Sequence, residues 1–72
     1  MTKINGQTVI RPDGVNLLNR EVILKDGMKV KCIAGNGCNP NAIGTKIFAE
    51  GLNYHLRRNE IMYVIAKDGE NG

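Results

Sequence analysis

Polar and apolar positions alternate with period two along much of this chain, and glycine, asparagine or proline interrupts the alternation every few residues. That pattern predicts short strands joined by tight turns. Its clearest stretch is Met28–Ile33, where Met28, Val30 and Cys32 alternate with Lys29 and Lys31. A strand sends the apolar side chains to one face and the ammonium groups to the other. A helix would instead set Lys29 beside Cys32 and Ile33, with no clean stripe. Beyond it, Ala34–Ala42 cannot continue a ladder, because Gly35 and Gly37 weaken pairing and Pro40 lacks an N–H. Gly44 then opens a second strand in which Ile43, Thr45, Ile47 and Ala49 face one way and Lys46, Phe48 and Glu50 the other.

The remaining elements follow from turn chemistry. Asn5-Gly6 between β-compatible segments predicts a two-residue hairpin whose second arm is Thr8-Val9-Ile10. Arg11-Pro12-Asp13-Gly14 closes it with a turn in which proline presets φ. Val15–Arg20 admits one helical turn capped by Asp13 or an extended lead-in, and reads as an irregular or single-turn connection. Glu21–Leu24 is a buried strand, joined to the next by Lys25-Asp26-Gly27, where aspartate bonds locally and glycine takes positive φ. After Gly51-Leu52-Asn53, Tyr54 and Leu56 alternate with His55 and Arg57, giving one apolar and one cationic face. Arg58-Asn59-Glu60 breaks the run as one 3₁₀ turn. Ile61–Ala66 is the longest apolar run and fits a central strand packed on both faces. The tail over 68–72 is polar and frayed. The expectation is an all-β fold: a small barrel or a strongly bent antiparallel sheet of five to six short strands, with residues 1–72 as a single domain.

The run Gly27-x-x-Val30-x-Cys32-Ile33-Ala34-Gly35, a glycine-containing loop and then Gly44-x-x-Ile47 resembles the KOW module of ribosomal proteins and transcription elongation factors, over about a third of the chain. The resemblance implies an SH3-like barrel core, with Gly44 as the glycine that permits a tight turn before the second strand. It also implies association with RNA. The loop here departs from the family in being Asn-rich, with an Asn39-Pro40 step.

Composition narrows the function. At 72 residues and 42% apolar, the chain folds around a small core, burying about 60% of the surface its unfolded form exposes. One Phe, two Tyr and no Trp leave that core to Ile, Val, Leu and Met. The net charge is +3, and it is unevenly spread: residues 25–58 carry about +4 and residues 59–72 about −2. An anionic partner is expected. No stretch reads as a signal peptide or membrane span, so the expectation is a cytoplasmic chain with its two cysteines as free thiols. Its size also suits an accessory protein of a phage or mobile element.

Four candidate sites emerge. The first is a basic and aromatic face made by Lys29, Lys31, Lys46, Phe48, His55, Arg57 and Arg58, the cations meeting phosphates and Phe48 stacking on a base. The alternative is a solvated face with Phe48 folded into a second core. Next is the loop with Gly35, Asn36, Gly37, Asn39 and Asn41, whose backbone amides would cradle an anion such as a nucleotide or meet an acidic partner. It is not a Walker loop, and the plain reading is a long hairpin loop. A third set, Cys32, Cys38 and His55, falls short of the four ligands of structural zinc. Cys38 with His55 is the one candidate catalytic pair, in a chain too small for a shielded cleft. The expectation is therefore a non-enzymatic binding module with no metal and no cofactor. Its partner is RNA, DNA or a nucleic-acid-processing complex, or alternatively an acidic protein surface that it binds as inhibitor or adaptor. A further alternative is sequestration of a small anionic nucleotide, with oligomer formation left open.

Overall fold

The computed structural model of the chain describes residues 2–42 and 44–70. Among these described residues, seven antiparallel strands form one sheet: β1 (Thr2–Ile4), β2 (Gln7–Ile10), β3 (Glu21–Leu24), β4 (Lys29–Ala34), β5 (Ile47–Ala49), β6 (His55–Leu56) and β7 (Ile61–Ile65). Their order is β1-β2-β7-β3-β4-β5-β6, so the last strand is inserted between the second and third. The fold is all-β, with one more strand than the five to six expected, and the sheet is open, with β1 and β6 as its end strands. Among the described residues, no helix is long and apolar enough to cross a membrane.

Local chemistry accounts for the turns. Asn5 and Gly6 both take positive φ (50° and 81°), which a type I′ hairpin turn requires, and Ile4 pairs with Gln7 across it. In the β3–β4 turn, Asp26 Oδ1 accepts the Met28 N–H at 2.9 Å, and Gly27 has φ 96°. The connection over 11–20 is irregular, as expected, yet it drives Leu17 fully into the core. Its backbone is tied down by bonds from Leu17 N–H to the Cys38 carbonyl (2.9 Å) and from Asn19 N–H to the Cys32 carbonyl (2.8 Å).

The core lies on one face, formed by Ile10, Val22, Leu24, Val30, Cys32, Ile47, Ala49, Leu56, Ile61 and Val64, with Leu17 and Cys38 from the connections. Strand β4 joins the two parts of the sheet: Lys29–Lys31 pair with β3 along one edge, and Cys32 and Ala34 pair with β5 along the other. Two register shifts interrupt the ladders. Between Cys32↔Ala49 and Ala34↔Phe48, β4 advances two residues for one on β5, leaving Ile33 as the extra residue of a bulge. Between Ile23↔Tyr63 and Leu24↔Ile61, β7 holds the extra residue, Met62.

Several expectations are corrected. Strand β4 begins at Lys29, and Met28 stays in the turn, 44% exposed. Strand β5 begins at Ile47; Gly44 (φ 93°) and exposed Thr45 belong to the preceding turn, and the inward placement expected for Ile43 lies outside the described residues. Tyr54 is exposed although it alternates with buried Leu56, because β6 is only two residues long. Strand β7 is central, but the Met62 bulge interrupts its alternation, so Ile61 and Val64 are buried while Met62 is open to solvent. The part of the tail described here is not frayed. Arg20, itself 6% exposed, donates to Glu70 Oε1 at 2.6 Å and to the Ile65 carbonyl at 2.9 Å.

Candidate functional site

The structure splits the expected basic face into three parts. Lys29 and Lys31 do project outward from β4, but carboxylates accompany them. Lys29 Nζ lies 3.7 Å from Glu21 Oε2 and donates to Gln7 Oε1 at 3.1 Å. Lys31 pairs in register with Glu21. One step beyond the Cys32–Ala49 pair it faces Glu50, whose N–H donates to the Lys31 carbonyl at 2.8 Å. Flanked by acid on both strands, the β4 lysines present little net field to a distant polyanion.

The second part is the edge formed by β5 and β6. Phe48 and His55 are directly opposite one another and both exposed, so the ring and the imidazole share the solvent face. Extending the Ile47–Leu56 register by one residue sets exposed Lys46 opposite exposed Arg57. Arg57 Nη1 donates to the Gly44 carbonyl, which fixes one corner of a guanidinium that has further donors to offer. Ile33, put out of register by the bulge, is exposed on β4 next to the Ala34–Phe48 pair. Phe48 is 46% exposed. It is therefore not folded into a second core, and an aromatic ring lies between an apolar neighbour and two cations.

The third part is Arg58, which corrects the sequence reading. Arg57 and Arg58 are adjacent, but they leave the backbone in opposite directions as the chain enters the 3₁₀ turn Arg58–Glu60. Arg58 is 6% exposed. Its Nη1 donates to the carbonyls of Pro12 (2.6 Å) and Val15 (3.0 Å), and its Nη2 to those of Gly37 (3.1 Å) and Cys38 (3.0 Å). The guanidinium ties the 11–20 connection to the loop after β4. It is structural and takes no part in an exposed phosphate-binding face.

In the glycine- and asparagine-rich loop, four amides are engaged within the protein. Gly37 N–H donates to the Lys46 carbonyl (2.9 Å), Cys38 N–H to that of Gly35 (3.2 Å) and Asn39 N–H to that of Asn36 (3.0 Å). Asn41 N–H donates to Asn39 Oδ1 at 2.8 Å. These bonds form the 3₁₀ turn Asn36–Cys38 and occupy the Gly37, Cys38, Asn39 and Asn41 amides, leaving fewer donors for an anion. Glycine serves close packing instead. A Cβ on Gly37 would stand 2.5 Å from the Thr45 carbonyl oxygen and 2.6 Å from Ile47 Cγ1.

Cys38 lies in the core and its thiol contacts the Ala34 carbonyl oxygen at 3.4 Å, whereas His55 is on the outer face. The structure therefore does not bring together the candidate dyad, nor the trio of Cys32, Cys38 and His55. Burial raises the Cys32 thiol to about 11, helped by the neighbouring Cys38 and opposed by the Arg58 guanidinium. Burial raises Cys38 as well, again against Arg58. Among the described residues no cluster of three or more His, Cys, Asp or Glu could hold a metal ion. Sequence reasoning missed Arg20 and its partner Glu70. The available signal was a lone cation immediately before a buried strand, in a chain with little core to spare.

Comparison with protein-family models, with curated proteins and with solved structures finds no match in any of the three.

Proposed function

We propose that the protein is a non-enzymatic module that binds single-stranded nucleic acid along the β5–β6 edge. One observation carries the reading: Phe48 stands 46% exposed on strand β5, opposite His55 and two residues from Lys46. A half-exposed aromatic ring on a rigid sheet suits stacking by an unpaired base, while Lys46 and Arg57 meet the flanking phosphates. Duplex DNA keeps its bases stacked and offers this ring nothing, so single strands are the preferred partner. The resemblance of the central segment to the KOW module supports the same class of partner, and a cytoplasmic setting within a nucleic-acid-processing complex fits it.

Labelled single-stranded RNA, single-stranded DNA and duplex DNA, titrated between about 50 and 200 mM salt, test the proposal. Two phosphate contacts on a single strand predict a slope of about −1.4 in log K against log salt. Phe48→Ala should weaken single-strand binding by about 5- to 150-fold, the equivalent of about 1–3 kcal/mol of stacking, with the fold intact. Equal binding by Phe48→Ala, or tighter binding of duplex than of single strands, would refute it.

A further inference from the structure

We infer that a second site, on the opposite part of the sheet, binds an acidic peptide of a partner protein through one apolar anchor side chain. The β1–β2 hairpin lies against the outer face of the sheet: Gln7 on β2 reaches Lys29 on β4 (3.1 Å) although two strands separate them in the sheet. Val9 and Ile23, which alternation places on the face away from the main core, are buried as a result. Beyond them this second layer is incomplete. A pocket of about 240 Å³ remains where the two hairpin ends meet, lined by Ile4, Asn5, Gln7, Ile23, Leu24 and Met62 and rimmed by Lys25 and Lys29.

Three features define the occupant. The pocket lies below the ~300–1,000 Å³ usual for small-molecule sites, so it holds one side chain and leaves the rest of its ligand outside. Apart from Asn5 and Gln7, the latter already bonded to Lys29, the uncharged side chains of the lining are aliphatic or thioether, which suits a phenylalanine or leucine side chain better than the polar edge of a nucleobase. Of the two lysines that line it, Lys29 is already paired with Glu21, so Lys25 supplies the charge that an acidic peptide meets. Lys25 makes no ion pair among the described residues. Asp26 in the same turn is drawn back to the Met28 N–H, and Glu21 sits by Lys29. A neighbouring cleft of about 290 Å³, between Leu24, Tyr54 and Leu56, shares Lys25 but differs in having Asp26 and Glu60 on its rim. Met62 reaches the pocket as the extra residue of the β7 bulge, a device that re-aims a side chain out of the ladder. Its long unbranched side chain, 40% exposed, adapts to an inserted anchor.

The probe is a synthetic peptide with one phenylalanine among glutamates and aspartates, titrated into the protein with NMR detection at Ile4, Ile23 and Met62. Shifts should centre on these three residues. Replacing the peptide's phenylalanine with alanine should weaken binding by about tenfold or more. Met62→Glu and Lys25→Glu should each do the same; Lys25 is an exposed turn residue, so its variant tests the site even if Met62→Glu perturbs the bulge. Phe48→Ala should leave peptide binding unchanged. No shifts at the three residues, equal binding by the alanine peptide, or a single-stranded oligonucleotide taking the pocket in place of the peptide would each overturn the inference.

Discussion

Replacing Arg58 with methionine keeps much of the side chain's length while removing its charge and all its donors. In the native structure four carbonyls converge on the guanidinium. Two of them keep a second donor when it is lost: Pro12 retains the Val15 N–H (3.2 Å) and Cys38 the Leu17 N–H (2.9 Å). Counting only Val15 and Gly37, at about 1.5–3 kcal/mol for each bond to a charged group, the loss is about 3–6 kcal/mol. Relief of burying a cation that has no carboxylate among these partners offsets part of it, so Arg58→Met should cost about 3 kcal/mol. Arg58→Ala, which also leaves a cavity, should cost more. Arg58→Lys should fall between Met and the native residue, since an ammonium cannot serve four acceptors with three donors. A chain of this length has about 4–11 kcal/mol of stability in all, and each kcal/mol moves the melting temperature by about 4–8 °C. Urea denaturation followed by circular dichroism would show the midpoint falling at constant m-value. An Arg58→Met protein within about 1 kcal/mol of the native stability would refute the reasoning. If that stable variant also lost oligonucleotide binding, Arg58 would be a surface contact after all.

Other outcomes follow from the same geometry. The Glu70 carboxyl is held below its ordinary value chiefly by its hydrogen bonds from Arg20 and from the Lys67 backbone. The stability it contributes is present above the unfolded value of 4.5 and is lost as pH falls through the lower folded value. Glu70→Gln should flatten that part of the acid-denaturation curve while lowering stability at neutral pH. Gly37→Ala should destabilise by roughly 2 kcal/mol or more, read from thermal melts, because its Cβ meets the backbone of residue 45 and the Ile47 side chain rather than a flexible chain end. Cys32, raised to about 11, and Cys38, also raised, should resist iodoacetamide at pH ~8 in the folded protein and react quickly in urea; rapid native labelling would contradict their placement in the core.

Where a residue type dictates a local conformation, the sequence was informative. Asn5-Gly6 and Asp26-Gly27 make the turns their chemistry requires, and strand β3 runs over the four residues expected from Glu21-Val22-Ile23-Leu24. Alternation also sorted Ile47 and Ala49 from Phe48 correctly. It misplaced Met28 and Tyr54 because a period-two pattern does not reveal where pairing stops. The bulges at Ile33 and Met62 depend on which strand lies alongside, a long-range fact with no local signature. Arg57 and Arg58 look alike in the sequence, and only the 3₁₀ turn between β6 and β7 sends one outward and the other into the core. The lysines of β4 looked available because the carboxylates that flank Lys31 come from elsewhere in the chain, Glu21 from β3 and Glu50 from the turn just past β5.

The position of β7 has a consequence for how the chain acquires its shape. Strands β2 and β3 adjoin each other only through a segment some forty residues downstream of β3. The β1–β2 hairpin and the β3–β6 meander are thus two halves whose ladder is not continuous until residues 61–65 arrive. During vectorial synthesis those residues emerge after both halves, whose flanking backbone edges stay open to mispairing until then. Closure by a sequence-distant strand places this small domain among the slower folders for its size. A fragment covering 2–60 would expose both edges permanently, and a peptide spanning 61–70 supplied in trans is the segment shaped to fill the gap.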